Sequence, residues 1–376
     1  MAATLKRLAG LILALAAAWC ATGPALAAEP IRIGFLAPIT GGSAAYGQMM
    51  REGVALAQAK VNQVLGRPVD LIIADTRSDR VEASNAANRL IMRDRVVAIL
   101  GPFSSSECLA AGPVAEKAKL PLLTAWGTNP LVTLGKRYVF RTCFIDTFQG
   151  EVAASFAVRH LQARTAATLV DVGRDYSVGL ARFFRKSFTE QGGQVILTTH
   201  YSEGDQEFGP QLAAIKAKNP DLVFLPGVLP EEPLIIRQAR EMGLTQPFIS
   251  GDSAQTEETI KIGGPATEGL YFTTHFDEQG VSNEAGRQYA GEYRRVYGKA
   301  PDALGAPGHD GYLILLDAIA RAGSTDPEAM VKALETTKDF PGVCGNTTIV
   351  GRDAVMPAVI MVVRDGKFRY VATVEP

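Results

Sequence analysis

The chain has 376 residues, 47% of them hydrophobic, which exceeds one typical domain and can supply two separate cores. Its 38 Lys plus Arg are balanced by 39 Asp plus Glu, leaving a net charge of −1. That balance gives no electrostatic ground for a nucleic-acid partner, and a small-molecule ligand is expected instead.

Residues 1–27 open with Lys6 and Arg7, continue with an apolar run from Leu8 to Cys20, and end on Ala25-Leu26-Ala27. This is the layout of a secretory signal peptide cleaved after Ala27. The run is shorter than the roughly 20 residues that cross a bilayer, which argues against a membrane anchor. Trp19 is too bulky for the small residue that precedes a lipid-modified cysteine, which argues against lipidation of Cys20. No later segment is apolar for long enough to cross a membrane, so the mature protein is expected in the periplasm. Cleavage leaves Cys108, Cys143 and Cys344, an odd number in an oxidising compartment. His160, His200, His275 and His309 lie far apart and no CxxC pair occurs, so neither a metal nor a cofactor is expected.

From Ile31 onward strands and helices alternate. Ile31–Ala37, Val69–Ala74 and Val96–Leu100 read as strands, separated by helices over Ala44–Asn62 and Val81–Arg93. The third strand empties through Gly101-Pro102 into Ser104-Ser105-Ser106, at the start of a helix reaching Ala118. Hydroxyls and unpaired N–H groups at a helix N-terminus favour an anion. A further strand, Leu120–Thr124, delivers the turn Ala125-Trp126-Gly127-Thr128, and two strand ends facing one crevice can hold a carboxylate.

An extended stretch, Tyr138–Asp146, ends this series, and a second one begins with the helix Phe148–Leu161. Strands over Ala166–Val172, Gln194–Thr199, Leu222–Leu225 and Pro247–Ser250 alternate with helices over Val178–Gln191, Phe208–Lys218 and Glu231–Met242. The expected fold is therefore α/β, with two doubly wound parallel-sheet lobes. Beyond Gly269 come a strand, Leu270–Thr274, helices over Asn283–Tyr297, Gly308–Ala322 and Pro327–Thr336, and strands over Val343–Val350, Pro357–Arg364 and Phe368–Thr373. Such a tail suggests a chain that returns to complete both lobes.

Several spaced segments resemble the periplasmic substrate-binding proteins of branched-chain amino acid ABC transporters, the leucine/isoleucine/valine-binding family. They are IRIGFLAPITGGSAAYGQ, GPFSSS, TAWGTNP, FRTCFIDTFQG, DVGRDYSVGLA and IIRQAREMGLTQPFISGD, spread over nearly the whole chain. The resemblance implies a type I periplasmic binding protein with a three-segment hinge, crossing near Arg141–Asp146, Thr273–Phe276 and Phe340–Gly345. The lobes would comprise residues 28–145 with 275–343, and 146–274 with 344–376. It further implies a monomer that closes over one amino acid, branched-chain or otherwise apolar, and delivers it to a membrane permease.

Residue by residue, the resemblance places the ligand's carboxylate on Ser105 and Thr128, with Trp126 supplying backbone; Ser106, in the same hydroxyl cluster at the helix start, is a further candidate for ligand binding. Capping of the helix is the other reading of the two hydroxyls at Ser105 and Thr128. It places the ammonium on Asp252, where leucine-type proteins carry Glu, so the shorter side chain admits a displaced ligand or an intervening water. Capping of a helix starting near Glu257 is the other role open to Asp252. Tyr176 is expected to close over the ligand, Tyr46 to pack at the mouth, and Asp146 and Gln149 either to reach the ligand or to fix the hinge. Trp126 replaces a small residue and Val228 an aromatic one, which reshapes the pocket; Trp126 can also serve as core. A first-lobe disulfide of the family is missing, with Ser78 and Ser104 at its positions. Cys143 and Cys344, on neighbouring crossings, are a candidate disulfide in its place.

Three other functions compete. A binding protein for an amine-free aromatic carboxylate or an amide, or a periplasmic sensor, would use the same cleft. An enzyme has little support: Gly251-Asp252-Ser253 resembles a hydrolase GDS motif, but it lies far from the N-terminus and no histidine stands near the C-terminus. Neither GxGxxG after the first strand nor GxxxxGK[ST] is present.

Overall fold

A computed structural model describes residues 29–281 and 283–376. The signal peptide expected over residues 1–27, with Cys20, lies outside the described residues.

The first lobe is built from β1 (Ile31–Ala37), α1 (Ala44–Lys60), β2 (Gln63–Val64), β3 (Arg67–Asp75), α2 (Arg80–Met92), β4 (Ala98–Leu100), α3 (Ser105–Ala118), β5 (Leu122–Thr124) and β6 (Val139–Arg141). Its sheet has the order β2-β3-β1-β4-β5-β6, parallel except for the hairpin between β2 and β3. Strand alternation sends Ile33, Phe35, Leu100, Leu123 and Phe140 into one core, and Leu36, Ile99, Leu122 and Val139 into another on the opposite face. Because both faces are covered, these strands are continuous apolar runs rather than alternating ones.

The second lobe contains α4 (Asp146–Arg159), β7 (Thr165–Asp171), α5 (Asp175–Glu190), β8 (Gln194–Tyr201), α6 (Gly209–Lys218), β9 (Leu222–Phe224), α7 (Glu231–Glu241), β10 (Phe248–Ser250), α8 (Glu257–Gly263) and β11 (Leu270–Thr274). The chain then supplies α9 (Glu284–Tyr297), α10 (Gly305–Ala322), α11 (Pro327–Glu335) and the strands β12 (Phe340–Gly342), β13 (Gly345–Val350), β14 (Asp353–Val355), β15 (Ala358–Arg364) and β16 (Lys367–Val374). The second sheet has the order β16-β15-β11-β10-β9-β7-β8, parallel up to β11 and antiparallel at β15 and β16.

Helix α10 returns to the first lobe and lies on α1 so closely that a Cβ on Gly53 would stand 1.8 Å from the Gly305 carbonyl oxygen. The third crossing falls later than expected. Strand β13 joins neither large sheet; it pairs with the short β12 and β14. This small sheet is tied to β6, where the Arg141 N–H donates to the Arg352 carbonyl at 2.9 Å and Arg141 Nε donates to Asp353 at 2.5 Å. Residues 344–355 therefore stay with the first lobe, and the chain rejoins the second sheet only at Ala358. Strands β2, β12 and β14 are two or three residues long with only one buried residue each, so no apolar run marks them in the sequence.

The displaced crossing also removes the reason for a bond between Cys143 and Cys344. Both are buried free thiols, as is Cys108. The backbone N–H groups of Val343 and Cys344 are held instead by the Asp310 carboxylate of α10, at 2.7 and 2.9 Å.

Candidate functional site

The C-terminal ends of β4 and β5 in one lobe face those of β7, β9 and β10 in the other, the crevice at which open α/β sheets take ligands. A small cavity lies there, with Ser105, Ser106 and Trp126 on one side and Tyr176, Val228 and Asp252 on the other.

On the first-lobe side, Ser104 caps α3. Its hydroxyl accepts from the Glu107 N–H at 3.2 Å, and the Glu107 carboxylate accepts from the Ser104 N–H at 3.1 Å. The capping box leaves the neighbouring Ser105 free of that duty. Ser105 Oγ accepts from the Asn129 N–H at 3.2 Å and keeps its own proton to donate. Ser106, although it lines the cavity, is engaged across the lobes. Its hydroxyl donates to Asp175 Oδ2 at 2.8 Å and accepts from the Asp175 N–H at 3.1 Å. Asn129 Nδ2 donates to the Asp175 carbonyl at 2.7 Å, so the start of α5 is clasped by the first lobe.

The Trp126 backbone N–H, expected to face the ligand, is spent on Thr124 Oγ1 at 3.2 Å. What Trp126 brings to the cavity is its ring, fixed by an indole N–H donated to the Leu304 carbonyl at 2.9 Å. It packs beside Phe35 and lines the cavity. The Thr128 side chain is fully buried beside the Asp146 carboxyl and does not line the cavity. Tyr46 does more than cover the mouth. It stacks on Phe103 at 4.7 Å, accepts from the Leu229 N–H at 2.9 Å and donates to the Ser253 carbonyl at 3.2 Å, bridging the lobes.

On the second-lobe side, Asp252 follows β10. Its Oδ1 accepts from Tyr176 Oη and from Gln149 Nε2, both at 2.9 Å. Gln149 also donates to Thr273 Oγ1 at 2.8 Å, so it fixes Asp252 to the base of the crevice. Oδ2 has no hydrogen-bond donor among the described residues; it stands 3.7 Å from His275 Nδ1. Burial drives the His275 pKa down to about 4, so at neutral pH the ring is uncharged and leaves the carboxylate charge uncompensated. Asp252 does not cap α8, whose cap is Thr256, accepting from the Thr259 N–H at 3.0 Å.

Asp146 lies outside the cavity, fully buried beside the Thr128 side chain. Burial pushes its carboxyl up to about 8, with the Asp252 charge adding to the effect. Sequence reasoning missed Phe103, Arg174, Ser253 and Leu304 in the lining. Leu304 is brought in from far along the chain by the return of α10, for which no local signal exists. Arg174 is held by Asp171 at 3.1 Å and Glu203 at 2.6 Å. Glu232, in the first turn of α7, was read only as part of a helix. It is fully buried, and burial pushes its carboxyl up to about 8 against the lowering effect of the Ser250 hydroxyl.

These buried groups give stability a defined pH dependence. Unfolded, Asp146 and Glu232 ionise near their ordinary 3.8 and 4.5; folded, both hold their protons to about 8. The folded chain therefore binds more protons than the unfolded one between those values, and stability falls as pH rises through that window. His275 has the opposite sign: its contribution is present above 6.5 and is lost as pH falls towards 4. Between pH 6.5 and 8 the two carboxyls dominate this group. The melting temperature of ligand-free protein is expected to decline over that interval, and Asp146→Asn to flatten the decline. A melting temperature that rises from pH 6.5 to 8 would contradict this.

Two α/β lobes closed over a small crevice, an unspent hydroxyl at a helix N-terminus on one side and a half-open carboxylate on the other, make up a ligand-binding protein. The family model for periplasmic binding proteins matches residues 30–367. A Leu/Ile/Val-binding protein homologue from Brucella suis is 30% identical over 350 residues, 91% of this chain and 93% of its own. Among solved structures, a leucine-binding protein from Thermotoga maritima superposes with a TM-score of 0.90 at 43% identity, covering 92% of this chain and 99% of its own. A branched-chain amino acid transporter substrate-binding protein from Streptococcus pneumoniae, in complex with isoleucine, superposes with a TM-score of 0.87 at 28% identity, covering 93% and 100%. The chain belongs to the branched-chain amino acid binding proteins of the periplasmic binding protein family; it is a substrate-binding protein and not an enzyme. Among the described residues no helix is long and apolar enough to cross a membrane.

Proposed function

We propose that the crevice closes over one free amino acid with an aliphatic side chain, and that the protein presents it in the periplasm to the permease of an ABC importer. The observation that carries this reading is the pairing of opposite polarities across one apolar cavity. Ser105 and the first N–H groups of α3 favour a carboxylate, and the open Oδ2 of Asp252 favours an ammonium. Phe103, Trp126, Val228 and Leu304 supply the apolar wall between them. Tyr46, Ser106 and Asn129, which bridge the lobes, hold the closed state once the ligand has joined its two ends. The hinge is then three segments, residues 142–145, 275–281 and 356–357, and the protein acts as a monomer.

A second reading rests on Trp126 and Phe103, two aromatic rings in the lining, which suit an amine-free aromatic acid. A thermal-shift screen of refolded, ligand-stripped mature protein separates the two. A ligand at 1,000 times its dissociation constant adds about 4.1 kcal/mol. Leucine, isoleucine or valine is expected to raise the melting temperature, whereas benzoate-type acids are not. Stabilisation by amine-free acids alone would overturn the amino-acid reading.

A further inference from the structure

Behind the turn that carries Trp126, Gly127 and Thr128 lies Arg141, a wholly buried cation that the binding reading leaves without a task. Its Nη1 donates to the Gly127 carbonyl at 2.8 Å, and its Nη2 to Thr133 Oγ1 at 2.8 Å. Nε donates to Asp353 Oδ1 at 2.5 Å, and that same oxygen accepts from Thr133 Oγ1 at 2.8 Å. The fork is thus fixed on one side to the late hairpin β13–β14 and on the other to the turn. In a trans peptide the C=O and the following N–H point in opposite directions, so a Gly127 carbonyl drawn back to Arg141 sends the Thr128 N–H the other way, out of the guanidinium's side of the turn. That N–H has no acceptor among the described residues, and the next one along the chain, on Asn129, is donated to Ser105 Oγ. The close fit of the turn on α3 leaves the peptide little room to rotate: a Cβ on Gly127 would meet Cys108 Sγ at 2.5 Å.

We propose that Arg141, clamped by Asp353 of the C-terminal hairpin, is a positioning residue that turns the Gly127–Thr128 peptide so that the Thr128 N–H serves the ligand's carboxylate beside Ser105. The inference rests on the reading that a carboxylate binds at this turn. It also gives the β12–β14 sheet a function: a segment far from the crevice in sequence sets the polarity of its anion end. Lysine cannot replace the fork, because a single ammonium does not hold Gly127, Thr133 and Asp353 in one plane.

The test uses mature protein labelled with ¹⁵N-threonine and titrated with leucine, isoleucine or valine, and in parallel with 4-methylpentanoate and benzoate. In the wild type the Thr128 amide proton is expected to move downfield on binding. In Arg141→Lys that movement is expected to be lost and the dissociation constant to rise roughly tenfold or more, the loss of one charge-assisted contact. Asp353→Asn, at a partly exposed position, should show the same pattern in weaker form and serves if Arg141→Lys does not fold. A merely structural role would weaken affinity while the Thr128 amide still moved on binding, and that result, or unchanged affinity with an unchanged shift, overturns the proposal. If only an amine-free acid binds the wild type, the amino-acid reading fails, and the same amide shift with that acid still decides the role of Arg141.

Discussion

Asp252→Asn is expected to weaken amino-acid binding at least tenfold while leaving the melting temperature of the ligand-free protein nearly unchanged. The substitution keeps the shape of the side chain, and an amide oxygen can still accept from Tyr176 and Gln149, which now share Oδ1 at 2.9 Å each. What changes is the other position. The open Oδ2 becomes an NH₂ group, a donor facing an ammonium that is itself only a donor. A hydrogen bond to a charged group contributes about 1.5 to 3 kcal/mol, which corresponds to a factor of about ten to more than a hundred in affinity. His275, neutral beside it, offers no negative charge to replace the one removed. A calorimetric titration that returned the wild-type dissociation constant would remove Asp252 from the site.

Gly53→Ala is expected to cost about 3 kcal/mol of folding stability and to weaken binding as well, although residue 53 touches no ligand. The new methyl would stand 1.8 Å from the Gly305 carbonyl oxygen and 2.4 Å from its carbon, and both are backbone atoms that cannot rotate away. Overpacking of this kind typically costs 1–3 kcal/mol, and a clash of backbone against backbone belongs at the upper end. To relieve it, α1 and α10 must separate. Helix α1 carries Tyr46, which bridges to Leu229 and Ser253, and the entry to α10 carries the Leu304 carbonyl that holds the Trp126 indole. Chemical denaturation that showed no loss of stability would contradict this account of the contact.

The contrast between these two residues shows what a sequence exposes and what it hides. Asp252 was legible because it ends an apolar strand and sits in a run of segments shared with a known family; Ser105 was legible as a hydroxyl at a helix start. The alternation of apolar strands and amphipathic helices likewise made both doubly wound lobes readable, since burial on both faces leaves continuous apolar runs. Gly53 has no such mark, because its role depends on a helix some 250 residues later in the chain. The same is true of Leu304 in the lining and of Asp353 behind Arg141. Hydroxyls are read less surely than strands, because backbone geometry decides their partners: Ser106 spends its hydroxyl on Asp175, and the Thr128 side chain is buried beside Asp146. The supposed pairing of Cys143 with Cys344 failed because the last crossing was placed by resemblance at Phe340–Gly345, whereas Arg141 and Asp310 hold that stretch to the first lobe.

The claim that an amino acid is held at both ends is tested most directly by calorimetric titration of ligand-stripped mature protein with leucine and with 4-methylpentanoate, the same molecule without its amine. The account predicts tight binding of leucine and a dissociation constant for the deaminated acid at least tenfold higher, a difference that disappears in Asp252→Asn. Equal affinity for the two in the wild-type protein would contradict it.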